Sequence, residues 1–222
     1  TMLRSNIFMN SCVFYRKGYF SMVSTSANFL SIFLSGMTSS SKVSVSAMRR
    51  LIEHSNPRIT PLFDPEPPLF LPAALSLSDI RLFDANFAPT DGYCLLFIAE
   101  GRGFLEIAKN TAQNITQDGT DHNNIDRHSL KKYSLFFFPL SKRWRLCLEN
   151  APWKFYIFFL SGVSVSYYNK LFSDSAKEPF VISGSSMLPL HLSHLYDALS
   201  DCNHDPLWLS EQLTSLLCLT IK

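Results

Sequence analysis

The 222-residue chain predicts a mainly β protein, a small barrel with an α-helical appendage in the form of an antiparallel hairpin. Three observations carry that expectation. Apolar runs of strand length lie between Gly92 and Gly162, parted by Gly, Pro, Asn and charged residues. Two of them alternate with period two, as a barrel wall requires. Beyond Gly184 the period changes, and leucines recur at i, i+3, i+4 and i+7.

Composition narrows the function classes. At 46% hydrophobic and 17% charged residues, the chain is globular and long enough for one good core. Residues 1–52 carry six basic and no acidic residues, so a net +2 leaves −4 for the remainder. That body lacks the basic excess of a nucleic-acid-binding surface. Cys12, Cys94, Cys147, Cys202 and Cys218 are scattered without a CxxC pair, which points to a reducing, cytoplasmic setting and away from zinc.

Residues 1–55 form an N-terminal extension to the folded body. Residues 19–36 are uncharged and follow Arg16-Lys17, a leader-like pattern, but five serines make a poor membrane span. An upstream extension before a start at Met37 or Met48 is the competing explanation, and no membrane association is expected. Residues 56–78 are a proline-rich arm, with six of the twelve prolines between 56 and 75. Proline fixes φ and lacks an N–H, so this arm is expected to run extended, neither helix nor central strand.

The barrel is expected over residues 79–163. Its first strand is 79–88, and a tight reversal at Glu100-Gly101-Arg102-Gly103 separates strands Tyr93–Ala99 and Phe104–Ala108. Residues 109–128 hold four Asn, three Asp and two Gln, the composition of a polar loop that includes the sequon Asn114-Ile115-Thr116. Strands follow at Ser134–Pro139 and Lys142–Glu149, the latter alternating Trp144, Leu146 and Leu148 with Arg143, Arg145 and Cys147. The strand opened by Pro152-Trp153 is apolar on both faces, so something must cover its outside.

Residues 164–222 supply that cover. Residues 164–172 suit a short helix or extended cover, and Glu178–Ile182 a short strand. Leu192, Leu195 and Leu199 stripe one helix; Leu209, Leu213, Leu216 and Leu217 stripe the next, which Asp205 caps and Pro206 begins. Eleven leucines between 188 and 219 exceed the needs of one barrel face, so the hairpin is expected to pair with its twin in a homodimer.

Chemistry is expected to be absent. None of the six histidines lies in an expected barrel strand; His128 is at a strand edge, and His191 and His194 share a helix without a third ligand. No G-x-S-x-G motif appears, and Gly101-Arg102-Gly103 lacks the third glycine and following helix of a dinucleotide loop. No catalytic residue, metal or cofactor is expected. A cavity remains, walled by Trp144 and Phe155 with Tyr93 near a rim and Arg81, Asn86 and Arg143 near the mouth. The aromatic residues serve equally as core filling.

The motif order resembles the N-terminal sensor and dimerisation domain of AraC-type transcriptional regulators. The residues that carry it are Tyr93, Gly101, Gly103, Phe138, Pro139, Pro152, Trp153, Phe155, Ser161 and Gly162, followed by two leucine-rich helices. It covers residues 79–220. The resemblance implies a cupin-like double-stranded β-barrel (a jelly roll) that binds a small effector, often a sugar. An N-terminal arm, here the proline-rich stretch, folds over it. It also implies dimerisation through the hairpin and DNA contact through helix-turn-helix units, which this chain lacks up to Lys222. Lys132-Tyr133-Ser134 stands where that family has Pro-Gly-Asp, Ser141-Lys142-Arg143-Trp144 replaces its His-containing turn, and Ile157 replaces a second Trp. The alternatives are a stand-alone cupin enzyme, an isomerase or dioxygenase, and a carbohydrate-binding module.

Overall fold

The computed structural model describes residues 37–39, 46, 50, 58–59, 69–80, 83–109, 125–175, 180–199 and 205–220. Its strands are β1 (Met37–Ser39), β2 (Arg58–Ile59), β3 (Phe70–Ile80), β4 (Phe83–Phe87), β5 (Tyr93–Ala108), β6 (Ile125–Leu130), β7 (Ser134–Pro139), β8 (Trp144–Ser161) and β9 (Phe180–Val181). Its helices are α1 (Val165–Ser175), α2 (Leu188–Ala198) and α3 (Pro206–Thr220).

Two long strands organise everything else. β5 and β8 run antiparallel from Tyr93 opposite Leu160 to Ile107 opposite Trp144. Around the Tyr93 end, β7 flanks β5 and β3 flanks β8, with β9 and β2 outermost. Around the Ile107 end, β6 flanks β5 and β4 flanks β8, with β1 beyond β4. One ribbon thus serves both halves of an antiparallel sheet that curls into a half-barrel. The fold class is the one the sequence predicts, a β-rich jelly roll with helices attached.

The reversal expected at Glu100–Gly103 is instead a bend inside β5. Pairing with β8 continues on both sides, and its register shifts between Ile98 and Glu100 and between Glu100 and Arg102. Gly101 takes φ +103°, and a Cβ there would lie 2.4 Å from the Trp153 ring. Gly103 passes so close to β8 that a Cβ would meet the Cys147 carbonyl at 2.2 Å. The two glycines permit close approach of strand to strand; they do not turn the chain back. The strands expected at Lys142–Glu149 and from Trp153 are likewise one strand, β8.

Alternation along β8 separates two cores. Trp144, Leu146, Leu148, Trp153, Phe155, Ile157 and Phe159 line the barrel interior. Tyr156, Phe158 and Leu160 point outward into a second core with Leu95, Phe97, Leu135 and the helices. The outside of β8 is covered by helices, as its two apolar faces demand. α3 is capped as expected: the Asp205 carboxylate accepts the Leu207 N–H at 2.9 Å. Leu192, Leu195, Leu199, Leu209, Leu213, Leu216 and Leu217 are all buried in this second core of their own chain. The apolar residues these helices leave exposed are Met187, Leu190, Leu207, Trp208 and Leu219.

Three further expectations are corrected. The end of the proline-rich arm, expected to be extended but no central strand, joins the sheet: β3 begins at Phe70 and pairs with β2 and β8. Pro72 is accommodated because the register slips between Phe70 and Ala73, where its missing N–H is not needed. The single strand expected over 79–88 is two, since β3 ends at Ile80 and β4 starts at Phe83. Finally, the polar run 109–128 ends in β6, which pairs with β5 from Gly103–Leu130 to Ala108–Ile125. Residues 1–36, the sequon and Arg81 lie outside the described residues.

Candidate functional site

The interior is filled with rings, and they form a row leading outward. Phe87 stacks on Trp144 with centroids 3.9 Å apart. Trp144 meets Phe138 edge-on at 5.3 Å, and Phe138 meets Phe136 at 5.6 Å. Phe136 then meets the His128 ring at 4.6 Å. Phe87, Trp144 and Phe138 are buried, whereas Phe136 and His128 are half-buried.

Strand geometry places that row. β6 and β7 both pair with β5, but at its opposite ends, so the two diverge. The turn between them is held by the Tyr133 N–H on the Ile98 carbonyl and by the Lys131 N–H on Ser134 Oγ at 2.9 Å. His128 lies opposite Leu105, and Phe136 opposite Leu96, both interior residues. His128 and Phe136 therefore bridge the divergence, where the interior comes nearest the surface.

The residues singled out in the sequence separate into three groups. Trp144 and Phe155 do point inward, Phe155 resting edge-on against Phe83 at 5.5 Å. Tyr93 points the other way, stacked on Phe137 at 5.7 Å on the helix-covered side. Asn86 and Arg143 alternate with the interior residues Phe87 and Trp144, so they belong to the outer face. Neither Asn86 Oδ1 nor Arg143 Nε, both buried, has a hydrogen-bond partner among the described residues.

That outer face carries a charged ladder. Arg145 donates Nε and Nη2 to the two oxygens of Asp84, each at 2.8 Å, and Nη1 to Glu106 at 3.3 Å. Glu106 in turn faces Arg127 at 3.6 Å, and Arg127 lies over the Phe104 ring at 3.6 Å. The hydrogen bond that Arg145 donates to Asp84 holds its guanidinium above the ordinary value, against the opposing effect of burial. Burial, aided by the Asp84 charge, pushes the Cys147 thiol up to about 11. The ion pairs of this ladder join Asp84 on β4, Arg145 on β8, Glu106 on β5 and Arg127 on β6, so it braces four strands.

Sequence reasoning missed His128, Phe136, Phe138 and Phe87 as one group. Phe136 and Phe138 sit two apart in the run Leu135–Phe138, which was a usable sign of a shared face. His128 stood out only as a histidine at a strand edge, because its strand is embedded in a polar run. Among the described residues no three His, Cys, Asp or Glu side chains gather as a metal site. No described helix is long and apolar enough to cross a membrane.

No family model matches the chain, and no curated protein matches it. Among solved structures it is similar to the AraC-like transcriptional activator CuxR, at 8% identity and TM-score 0.43, over 68% of this chain and 52% of that one. It is similar to BH2720 of Bacillus halodurans at 15% identity and TM-score 0.32, over 41% of this chain and 61% of that one. An oxalate decarboxylase of Bacillus subtilis, an S161A mutant, follows at 12% identity and TM-score 0.25, over 40% and 25% of the two chains. The chain spans less than two thirds of the length of each of these three.

Proposed function

We propose that this chain is the effector-binding and dimerisation part of an AraC-type transcription regulator, without catalytic activity of its own. The observation that carries the reading is the aromatic row from Phe87 to His128, which links a sealed apolar interior to a half-open edge. Stacked rings at the mouth of a barrel suit a small ligand, and within the row the one acid–base group is the His128 imidazole. The motif order from Tyr93 to Gly162 and the hairpin behind it support the same role. In this reading DNA is contacted only through a helix-turn-helix domain, and two copies associate through the helical side. The apolar residues left for that contact are the exposed Met187, Leu190, Leu207, Trp208 and Leu219, not the buried stripe.

A thermal-shift screen of the purified chain against small-molecule classes tests the role. A ligand at 100 times its Kd adds about 2.7 kcal/mol, a rise in Tm of roughly 5–10 °C for a domain of this size. A chain that no small-molecule class stabilises would contradict the reading.

A further inference from the structure

The interior also indicates the class of molecule it takes, an inference that rests on the effector-binding role. Among the described residues the buried polar or charged side chains are Asp84, Glu106, Ser134 and Thr220. Asp84, Glu106 and Thr220 are committed away from the interior, and Ser134, on the same face of β7 as Phe136 and Phe138, has its oxygen engaged in a turn. Asp84 and Glu106 serve Arg145 on the outer face. Ser134 accepts the Lys131 N–H in the β6–β7 turn, and Thr220 donates to the Leu217 carbonyl at the end of α3.

What the described residues leave inside is hydrocarbon, ring and the Cys94 thiol, with the indole N–H of Trp153 buried without an acceptor among them and the His128 imidazole at the rim. A sugar brings several hydroxyl groups into such a place. Each one buried unpaired weakens binding by about ten-fold. A flat ring loses little on entry and gains stacking contacts at the spacing the row already shows. Phe136 is the phenylalanine of that row that is only half-buried, with an aromatic neighbour on either side.

We propose that the effector is a flat aromatic molecule with few polar groups, seated between His128 and Phe138 in the place Phe136 now fills. Phe136 swings outward to admit it.

Calorimetric titration of the whole chain with phenol, benzoate and 2-naphthol, against L-arabinose, D-xylose and D-glucose, tests this. At least one aromatic probe should bind ten-fold or more tightly than every sugar. Phe136→Ala should tighten that binding at least three-fold, since no ring need be displaced, and Phe138→Leu should weaken it at least ten-fold. Arg127→Ala, on the outer face, should stay within two-fold, and circular dichroism confirms that each variant is folded. Sugars binding more tightly would overturn the aromatic class and leave the effector-binding role standing. Aromatic binding indifferent to both Phe136 and Phe138 would overturn the site. Binding by neither set would overturn the aromatic inference, and the thermal-shift screen across small-molecule classes then decides the role on its own.

Discussion

Arg145 grips Asp84 through two parallel hydrogen bonds, Nε to Oδ1 and Nη2 to Oδ2, each 2.8 Å long. The Asp84 side chain is only 6% exposed, so its charge needs paired donors, and Arg145 supplies two. Arg145→Met should therefore destabilise the chain by about 3 kcal/mol in urea unfolding, by stranding that carboxylate. Arg145→Lys should recover less than half, since an ammonium group cannot span both oxygens. Replacing both partners, Asp84→Asn with Arg145→Met, should lose less than the single Arg145→Met change.

The glycines at the bend differ in what they must avoid. Gly101→Ala would put a methyl group into the Trp153 ring at a φ that only glycine adopts freely, and Gly103→Ala would press on the Cys147 carbonyl. Each should lower stability by about 2–4 kcal/mol. Gly184 has open space around its Cα, so Gly184→Ala should change stability by less than about 0.5 kcal/mol. Thermal unfolding of the three variants checks the contrast.

Thiol reactivity should follow burial. Cys218 is exposed, Cys94 is fully buried with its thiol pushed well up, and Cys147 titrates near 11. With Cys12 and Cys202 changed to Ser, native labelling at pH 8 should modify Cys218 alone. A thiol whose folded pKa is raised favours the folded state at low pH. The Cys147 contribution is thus complete below the ordinary value of 9.0 and is lost as pH rises toward about 11. Cys147→Ser should flatten the stability profile in that alkaline window.

The helices separate stability from association. Leu213 is fully buried, so Leu213→Ala should destabilise the fold by about 2–5 kcal/mol. Leu207 is 65% exposed, so Leu207→Ser should leave stability within about 0.5 kcal/mol. If two copies meet on this side, the combined Leu190→Ser and Leu207→Ser variant should sediment with a weakened dimer constant. An unchanged constant would place the contact elsewhere.

Much of this architecture was legible because sheets write it with period two. Trp144, Leu146 and Leu148, and then Trp153, Phe155, Ile157 and Phe159, mark one face of β8 without any structure. The leucine stripes and the Asp205-Pro206 cap were equally plain. What the stripes faced was not, because a buried helix and a dimerising one carry the same pattern. Gly101-Arg102-Gly103 fits a reversal or a bend locally, and only Trp153, fifty residues on, decides for the bend.

The mouth was the hardest part to foresee. β6 contains Asp126, Arg127, His128 and Ser129, and it forms a strand because it satisfies the edge of β5, not because it is apolar. Asn86 and Arg143 are expected from the sequence near the mouth, as polar residues that could orient a ligand. Their positions next to Phe87 and Trp144 put them outside once the strand bounds are known.

Aromatic and methyl NMR of the whole chain, titrated with phenol and with benzoate, tests the central claim most directly. The account predicts saturable shifts at Phe87, His128, Phe136, Phe138 and Trp144, with the Arg145 face and the exposed leucines of α2 and α3 unmoved. A spectrum that stays fixed in that row, or that moves only on the helices or the charged ladder, would contradict it.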